Sequence, residues 1–361
     1  MMSNYGARFG PPATTTVRCR YCTTTITVPP NACAVQCVQC HCVTRVVQRY
    51  SSRIPPPPMP NPSMGFPCVR GNKRAVLIGI TYAGMRHGCG ALSGPINDVK
   101  CMRQLLCQRY GFPGDSIIML TAWTTGEDDH KNPSRLPTKD NIRMAMHWLV
   151  QQCRGGDSLV FHFSGRGVQV PDHSGDEVDG CDEAICPVDS YQNGPILDDE
   201  INEAIVRPLV PGAKLHAVVD ACHSATVLDL PFQYRVSRYG NWQWEDHRPP
   251  TGACKGTSGG QAVLISGHSD GKSNIVARAD AYGTIGAMTH SFIKAVECEP
   301  RGLTYGRLLT SMASIMRSSG GSCNLPGQYG GNHRVFNFSG VKAPELSASE
   351  IFDVNCKPFV L

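Results

Sequence analysis

From Lys73 onward, five apolar runs of strand length alternate with segments of helix length, and that alternation leaves few folds open to the chain. The runs are Ala75 to Ile80, Ser116 to Leu120, Ser158 to Phe163, Leu215 to Val219 and Ala262 to Ser266. Helices are expected near Ile96 to Tyr110, Lys139 to Gln152, Asp198 to Val206, Ala287 to Glu297 and Tyr305 to Arg317. Continuous apolar runs suit strands buried on both faces, and strands separated by crossover helices pair in parallel. The expectation is a three-layer α/β/α domain with a mostly parallel central sheet. Between Pro231 and Gly260 the periodicity gives way to Arg, Trp, Gly and Pro. That stretch, 231–260, predicts an exposed loop dividing a larger region, 71–230, from a smaller one, 261–361.

Parallel strands deliver functional residues at their carboxyl ends. Two of the runs end in chemically loaded turns, Phe161-His-Phe-Ser-Gly-Arg-Gly167 and Asp220-Ala-Cys-His-Ser224. Side by side, these would put Cys222 next to position 166, where a thiol and a base make a nucleophilic dyad. Position 166, however, is Arg. A guanidinium holds its proton and has no lone pair to accept another, so it is neither a usable base nor an effective acid. His162 lies four residues earlier and reads as a packed strand residue below the turn, His223 adjoins Cys222 but neighbouring side chains diverge, and His87 reads as a loop residue. None of the three is expected to replace the missing base.

The amino-terminal region carries a separate signal. Cys19-Arg-Tyr-Cys22 and Cys37-Val-Gln-Cys40 repeat the C-x-x-C spacing of a tetrahedral thiolate site for zinc within a small unit, 15–45. A segment this short and poor in large apolar residues needs a metal to fold, and structural zinc contributes ~10 to 16 kcal/mol of apparent binding free energy. Cys33, His41 and Cys42 lie close enough in sequence to leave the ligand set open. Ile54-Pro-Pro-Pro-Pro-Met-Pro-Asn-Pro62, inside a linker at 46–70, favours extended polyproline II and acts as a semi-rigid spacer or, secondarily, as a ligand for proline-reading domains.

The net charge of +5, from 34 basic and 29 acidic residues interspersed along 361, forms no long basic run and gives no sign of nucleic acid binding. No apolar stretch approaches the roughly 20 residues needed to span a bilayer. The 18 Cys accompany an amino terminus without the apolar core of a signal peptide, so the reading is a reduced, soluble, cytoplasmic protein, with the nucleus as a second compartment.

Phe161-His-Phe-Ser-Gly-Arg-Gly167, Gly175-Asp-Glu-Val-Asp-Gly-Cys-Asp-Glu183, Leu197-Asp-Asp-Glu200, Asp220-Ala-Cys-His-Ser224 and the ending Lys357-Pro-Phe-Val-Leu361 together resemble the motif series of plant type I metacaspases. The amino-terminal Cys pairs followed by prolines resemble the zinc finger of the type found in the plant cell-death regulator LSD1, which type I members carry. The resemblance implies a caspase-like fold and a calcium-dependent cysteine endopeptidase that cleaves after Arg or Lys, processes itself, and acts in programmed cell death or stress responses. By position, Cys222 matches the nucleophile and Arg166 stands where the catalytic His belongs. Asp98, Ser164 and Asp220 match the primary specificity pocket; Asp182, Asp198, Asp199 and Asp229 match the calcium ligands.

The residues themselves speak to some of this. Carboxylates at 98 and 220 favour a substrate cation through charge-assisted hydrogen bonds, although a strand-end Asp220 capping backbone amides is an ordinary alternative. The acids of 172–183 with Asp198 and Asp199 offer a hard cation many oxygens but lack EF-hand spacing, and without the resemblance they read first as solvated loop acids. The amides of Gly167 and Cys222 are candidates for an oxyanion hole. Arg235, Arg238, Arg248 and Lys255 are the basic candidates for processing. Ala225 stands where the family usually has Gly, and a positive φ there would add roughly 1 to 2 kcal/mol of strain. Two functions follow: a protease with a reactive Cys222 but impaired turnover, or a dead pseudoprotease that regulates or scaffolds through its finger and proline segment.

Overall fold

The computed structural model describes residues 15–19, 22–28, 34–40, 43–45, 66–67, 71–84, 90–122, 132–172, 177, 180–236, 242–248, 255–269, 276–279, 283–298, 302–318 and 341–361. The proline run and His87 lie outside them, as do Cys33, His41, Cys42 and Arg238. The chain divides into two compact units, one of residues 1–59 with 248–254 and the other of the remainder.

In the smaller unit, β1 (Thr15–Arg18) pairs antiparallel with β2 (Thr25–Val28), and β3 (Ala34–Gln36) with β4 (Val43–Arg45). The turn after β1 closes tightly: Cys19 N donates to Thr24 O at 2.8 Å and Thr23 N to Cys19 O at 3.1 Å. Thr23 takes a left-handed φ of 59° to make it.

The larger unit is built on β5 (Lys73–Ile80), β6 (Ile117–Ala122), β7 (Ser158–Ser164), β11 (Lys214–Asp220) and β14 (Gln261–Ser269), all parallel to one another. These are the five apolar runs of the sequence, and β5 and β7 are buried along nearly their whole length. Between β7 and β11 the chain makes a small antiparallel sheet of β8 (Gly167–Pro171), β9 (Cys181–Ile185) and β10 (Ile196–Leu197). A further hairpin, β15 (Val276–Ala279) with β16 (Gly283–Gly286), precedes the last helices.

The stretch expected to be an exposed loop is partly strand. β12 (Phe232–Val236) and β13 (Trp242–Asp246) form an antiparallel pair, and β17 (Val341–Ala348) joins it to the parallel core. The central sheet therefore has eight strands in the order β13-β12-β17-β14-β11-β7-β5-β6. Tyr234 stacks on Trp242 with ring centroids 5.4 Å apart and meets Trp244 at 5.2 Å, so aromatic cross-strand contacts hold an edge whose polar residues disguise it.

Helices cover both faces. α1 (Pro95–Tyr110), α5 (Ala287–Cys298) and α6 (Tyr305–Ser318) share one apolar cluster with Leu77, Val160, Val218 and Val263. α2 (Lys139–Val150) and the segment 201–206 share the other with Ile78, Phe161, Ala217 and Leu264. Alternate residues of each strand thus enter opposite cores, each fully buried Leu, Ile or Phe contributing about 1.5 to 3 kcal/mol. Among the smaller pieces, α3 (Ser190–Asn193) is a single turn, and α4 (Asp198–Ile201) runs on into one wider π turn at Asn202–Val206. α1 starts with Pro95, whose missing N–H costs nothing at a helix start, and stops at Gly111 with φ 67°. Among the described residues no helix is long and apolar enough to cross a membrane.

Candidate active site

Ser164 and Asp220 end adjacent strands in register, so the two loaded turns leave the sheet side by side. Gly165 N donates to Asp220 O at 3.2 Å and ties them. A β-carbon on Gly167 would run into the carbonyl oxygen of Cys222, so only glycine lets the first turn pass so close to the second. In the second turn Cys222 is half-buried, and it is His223, with φ 51°, that takes the left-handed conformation. Ala225 is not among the positive-φ residues, so the strain expected there is absent.

The Arg166 side chain is built into its surroundings. Its guanidinium donates to the Gly90 carbonyl and lies 5.6 Å from the centre of the Tyr82 ring. Tyr82 also holds the turn: its hydroxyl accepts from Arg166 N at 3.0 Å and donates to Cys186 O at 2.6 Å, while Cys186 N donates back to Arg166 O at 3.0 Å.

Beneath the turns, α1, β7 and β11 bring Asp98, Ser164 and Asp220 together, all buried. Ser164 Oγ donates to Asp98 Oδ2 at 2.5 Å, and Gly286 N donates to Asp98 Oδ1 at 2.7 Å. Asp220 Oδ2 accepts from Thr289 N at 2.9 Å and Thr289 Oγ1 at 3.0 Å. Burial, and then the charge of Asp220, raises Asp98 well above the carboxylate range; burial pushes Asp220 up to about 6 despite its hydrogen bonds from Thr289. A β-carbon at Gly286 would collide with Asp220 Oδ2 and fall 2.8 Å from Asp98 Oδ2, so only glycine lets the backbone pass this close to both acids. The result is a buried pair of acids with no ion pair among the described residues, and any cation entering it would meet carboxyl oxygens on two sides. Sequence reasoning missed Gly286 and Thr289, whose only trace is Gly286-Ala-Met-Thr289 at the start of a helical pattern.

His162 is fully buried, and burial pushes it down to about 3. Its Nε2 lies 3.3 Å from Thr289 Oγ1, which spends its own proton on Asp220, so a neutral His162 with the hydrogen on Nε2 fits the chain His162 to Thr289 to Asp220. His162 is a packed strand residue, as its position suggested.

Of the acids assigned to calcium, Asp198 Oδ2 accepts from Glu183 N at 3.0 Å and its Oδ1 from Asp199 N at 2.9 Å. Burial, followed by the charge of Asp229, pushes Asp198 up to about 8. Asp182 is buried in β9, and Asp199 is the second residue of α4. Asp229 Oδ1 lies 2.5 Å from Lys255 Nζ; burial pushes this acid up to about 7 against the pull of that lysine. Lys255 also reaches Glu177 Oε1 at 2.5 Å. Thr226, four residues past Cys222, donates its hydroxyl to Glu183 and so joins the acidic group to the loop of the thiol. Among the described residues these acids do not converge as a ligand set: the only group of candidate ligand atoms within 4.8 Å of one another is Cys19, Cys22, Cys37 and Cys40. As they stand, therefore, the four acids do not fit a calcium ion.

The cysteine group does fit a metal. Cys19 Sγ and Cys40 Sγ are 3.5 Å apart, and Cys22 Sγ and Cys37 Sγ 3.4 Å, close to the ~3.8 Å edge of a tetrahedron with Zn–S of about 2.3 Å. Four thiolates in this arrangement could bind zinc, and the residues present supply all of the ligands.

The basic candidates for processing differ in access. Arg235 lies in β12 and pairs with Glu245 at 2.6 Å, Arg248 is exposed, and Lys255 is buried.

Comparison with known proteins gives a consistent result. The family model described as the metacaspase, peptidase C14 domain matches residues 73–231. Metacaspase-1 of Arabidopsis thaliana is 44% identical over 364 residues, which cover 96% of this chain and 96% of that protein. Metacaspase-3 of the same plant is 44% identical over 380 residues, covering 96% and 98%. Metacaspase-2 is 50% identical over 251 residues, or 69% of this chain and 58% of that protein.

Proposed function

The chain belongs to the metacaspase family of cysteine peptidases, and from that premise we propose that it is an endopeptidase directed to Arg or Lys, with Cys222 as nucleophile and turnover impaired by Arg166. The observation that carries the specificity is the buried pair Asp98 and Asp220, the first bonded to Ser164, below the turn of Cys222. An arginine or lysine side chain brings the charge those acids lack, and its donors take the lone pairs that Ser164, Gly286 and Thr289 leave over. An acidic side chain would enter against two carboxyl groups.

In the reaction, the Cys222 sulfur attacks the carbonyl carbon of the scissile bond, and the negative charge that develops on oxygen is met by backbone amides at the two turns, with Gly167 and Cys222 as candidates. The departing amine then needs a proton. Arg166 cannot take the proton of the thiol and pass it on, and its guanidinium is bound to Gly90 and Tyr82. Acylation is the step that suffers, because loss of acid-base help costs typically ~10² to 10⁴ in rate.

Zinc in the four-cysteine site would fold the amino-terminal unit; Asp182, Asp198, Asp199 and Asp229, which do not converge among the described residues, carry no calcium step. The exposed Arg248 suits self-processing better than Arg235, which a strand and an ion pair hold.

The test is peptide cleavage beside thiol alkylation on one preparation in calcium, with Arg166→His in parallel. Ready alkylation with slow cleavage after Arg, restored by the histidine, is expected; cleavage after Asp, or full turnover with Arg166 in place, would overturn the reading. The anchoring of Arg166 as a strut between Gly90 and Tyr82 also favours a second reading, a pseudoprotease whose intact groove, finger and proline segment bind proteins in cell-death or stress signalling. That reading requires that Arg166→His gain no cleavage.

A further inference from the structure

Asp98 and Asp220 meet different partners, and the difference lies in which of those partners can accept a proton. The place of a β-carbon on Gly286 touches both Asp220 Oδ2 and Asp98 Oδ2, so the two buried carboxyls lie side by side. Two negative charges that close in a buried space do not both persist, and before a substrate binds the pair holds a proton.

Asp220 is surrounded by donors. Its Oδ2 accepts from Thr289 N at 2.9 Å and Thr289 Oγ1 at 3.0 Å, and Met288 N also donates to this carboxyl. A backbone N–H cannot accept a proton, and the hydroxyl is held in one direction from behind. His162 Nε2 lies 3.3 Å from Thr289 Oγ1, whereas the buried His162 Nδ1 has no partner among the described residues. A hydrogen on Nδ1 would be stranded in the core, so it sits on Nε2 and points at Oγ1, which leaves the Thr289 proton for Asp220. Asp98 differs at one atom. Its Oδ1 accepts from Gly286 N at 2.7 Å, but its Oδ2 meets Ser164 Oγ at 2.5 Å, and a serine hydroxyl that donates to a carboxylate can turn and accept from a carboxylic acid.

We propose that Thr289, backed by His162, is a positioning residue of the specificity pocket: it holds Asp220 as the ionised acid and directs the proton of the pair to Asp98. The proposal rests on the reading of this pocket as the receiver of an arginine or lysine side chain. Asp220 is then the charge that selects a cation, and Asp98 supplies hydrogen-bonding oxygens without a second charge. Burial raises Asp98 well above the carboxylate range but Asp220 only to about 6, which runs the same way. The other titratable groups around Asp220 are Cys101 of α1, which feels the charge of Asp98, His290 of α5, next to Thr289, and Cys222 on its own turn. The test therefore compares peptides and variants instead of reading one titration.

The experiment uses the full chain carrying Cys222→Ala, so that peptides stay uncut, and two blocked peptides identical except for one arginine or norleucine. Isothermal titration calorimetry at pH 6 and pH 8 gives the ratio of the two affinities, which a general weakening of the groove does not change. Loss of one hydrogen bond raises a carboxylate's pKa by about one unit, so Thr289→Val should lower the arginine preference about 5-fold at pH 6 and hardly at pH 8. Thr289→Ser, which restores the hydroxyl, should keep the parent ratio. His162→Leu removes the donor behind the hydroxyl and should lower the preference about 2-fold at pH 6, the effect of roughly half a unit. Infrared difference spectra of the substrate-free protein at pH 7 need no change at Thr289: Asp98→Asn should remove a protonated-carboxyl band and Asp220→Asn a carboxylate band. An arginine preference that Thr289→Val or His162→Leu leaves unchanged at pH 6 or lowers equally at both pH values, or infrared bands assigned the other way round, would overturn the proposal and leave the pocket reading standing. A parent that shows no preference for arginine at pH 8 would overturn both.

Discussion

Asp98 and Ser164 share a buried hydrogen bond of 2.5 Å, and no ion pair reaches Asp98 among the described residues. The acid is kept in the fold at a cost to stability. Asp98→Asn should therefore leave the thermal midpoint unchanged or higher at pH 7, while removing cleavage after Arg by about 10- to 150-fold in kcat/KM, the value of one charged hydrogen bond of about 1.5 to 3 kcal/mol. Melting curves and peptide kinetics on one preparation check both halves; a variant that melts lower and cleaves normally would make Asp98 structural.

Gly286→Ala tests the same pocket by volume. The added carbon meets Asp220 Oδ2 and approaches Asp98 Oδ2 to 2.8 Å, and both acids are fixed by their own hydrogen bonds. A loss of stability of about 1 to 3 kcal/mol is expected from the overpacking, with loss of cleavage after Arg and Lys. Denaturant unfolding gives the first and peptide assays the second.

Asp220 carries a pH signature. Its folded-state value is raised by burial to about 6, above the ordinary 3.8, so the group binds a proton more tightly folded than unfolded. Its contribution to stability is therefore present below about pH 4 and lost as pH rises through about 6. Substrate affinity runs the other way, because only the ionised acid attracts a cation. KM for an Arg peptide should rise as pH falls below about 6, and this rise should vanish in Asp220→Asn. Persistence of the same profile in that variant would assign it to another group.

The parallel core was legible because each of its strands is a continuous apolar run, and the turn residues Ser164 and Asp220 were legible because those runs end at them. β17 was not, since Pro344 and Glu345 interrupt its apolar pattern; Glu345 is buried by pairing with Gln233 of β12 at 2.9 Å, a partner more than a hundred residues away. The β12–β13 hairpin was hidden for a related reason: at the sheet edge one face is wet, and Arg, Gln and Trp alternate there without an apolar run. In the site, spacing alone can nominate Asp98 and Asp220, but it cannot show that Thr289 and Gly286 of a later helix and hairpin shape the space between them. Lys255 was misjudged because a lone lysine among Gly, Ser and Thr looks solvated until the fold puts Glu177 and Asp229 around it.

Removal of metal should act on one unit only. Among the described residues of the finger the buried cluster is Cys19, Ile26 and Cys37, too little apolar area to hold a fold without the metal. A chelator, or Cys37→Ser, should unfold residues 15–45, seen as new proteolytic cuts there, while the melting transition of the larger unit stays within about 1 °C. A shared transition would mean that the two units fold together.

Two buried histidines should govern acid sensitivity. His162 and His216 are both pushed down to about 3 by burial, from an ordinary 6.5. Each is neutral in the fold and must take up a proton on unfolding in acid, so its contribution is complete above about pH 6.5 and declines as pH falls toward about 3. The slope is about 1.4 kcal/mol per pH unit for each. Asp220 opposes this slope between about pH 4 and 6, and the raised Asp98 opposes it too, so the net curve alone does not isolate the histidines. A substitution does. His162→Gln keeps a donor for Thr289 but cannot titrate, and the difference in unfolding free energy between parent and variant should shift by about 2 kcal/mol from pH 6.5 to 5. Urea denaturation at those two pH values measures it, and a difference that stays constant would mean that His162 is already protonated in the folded protein.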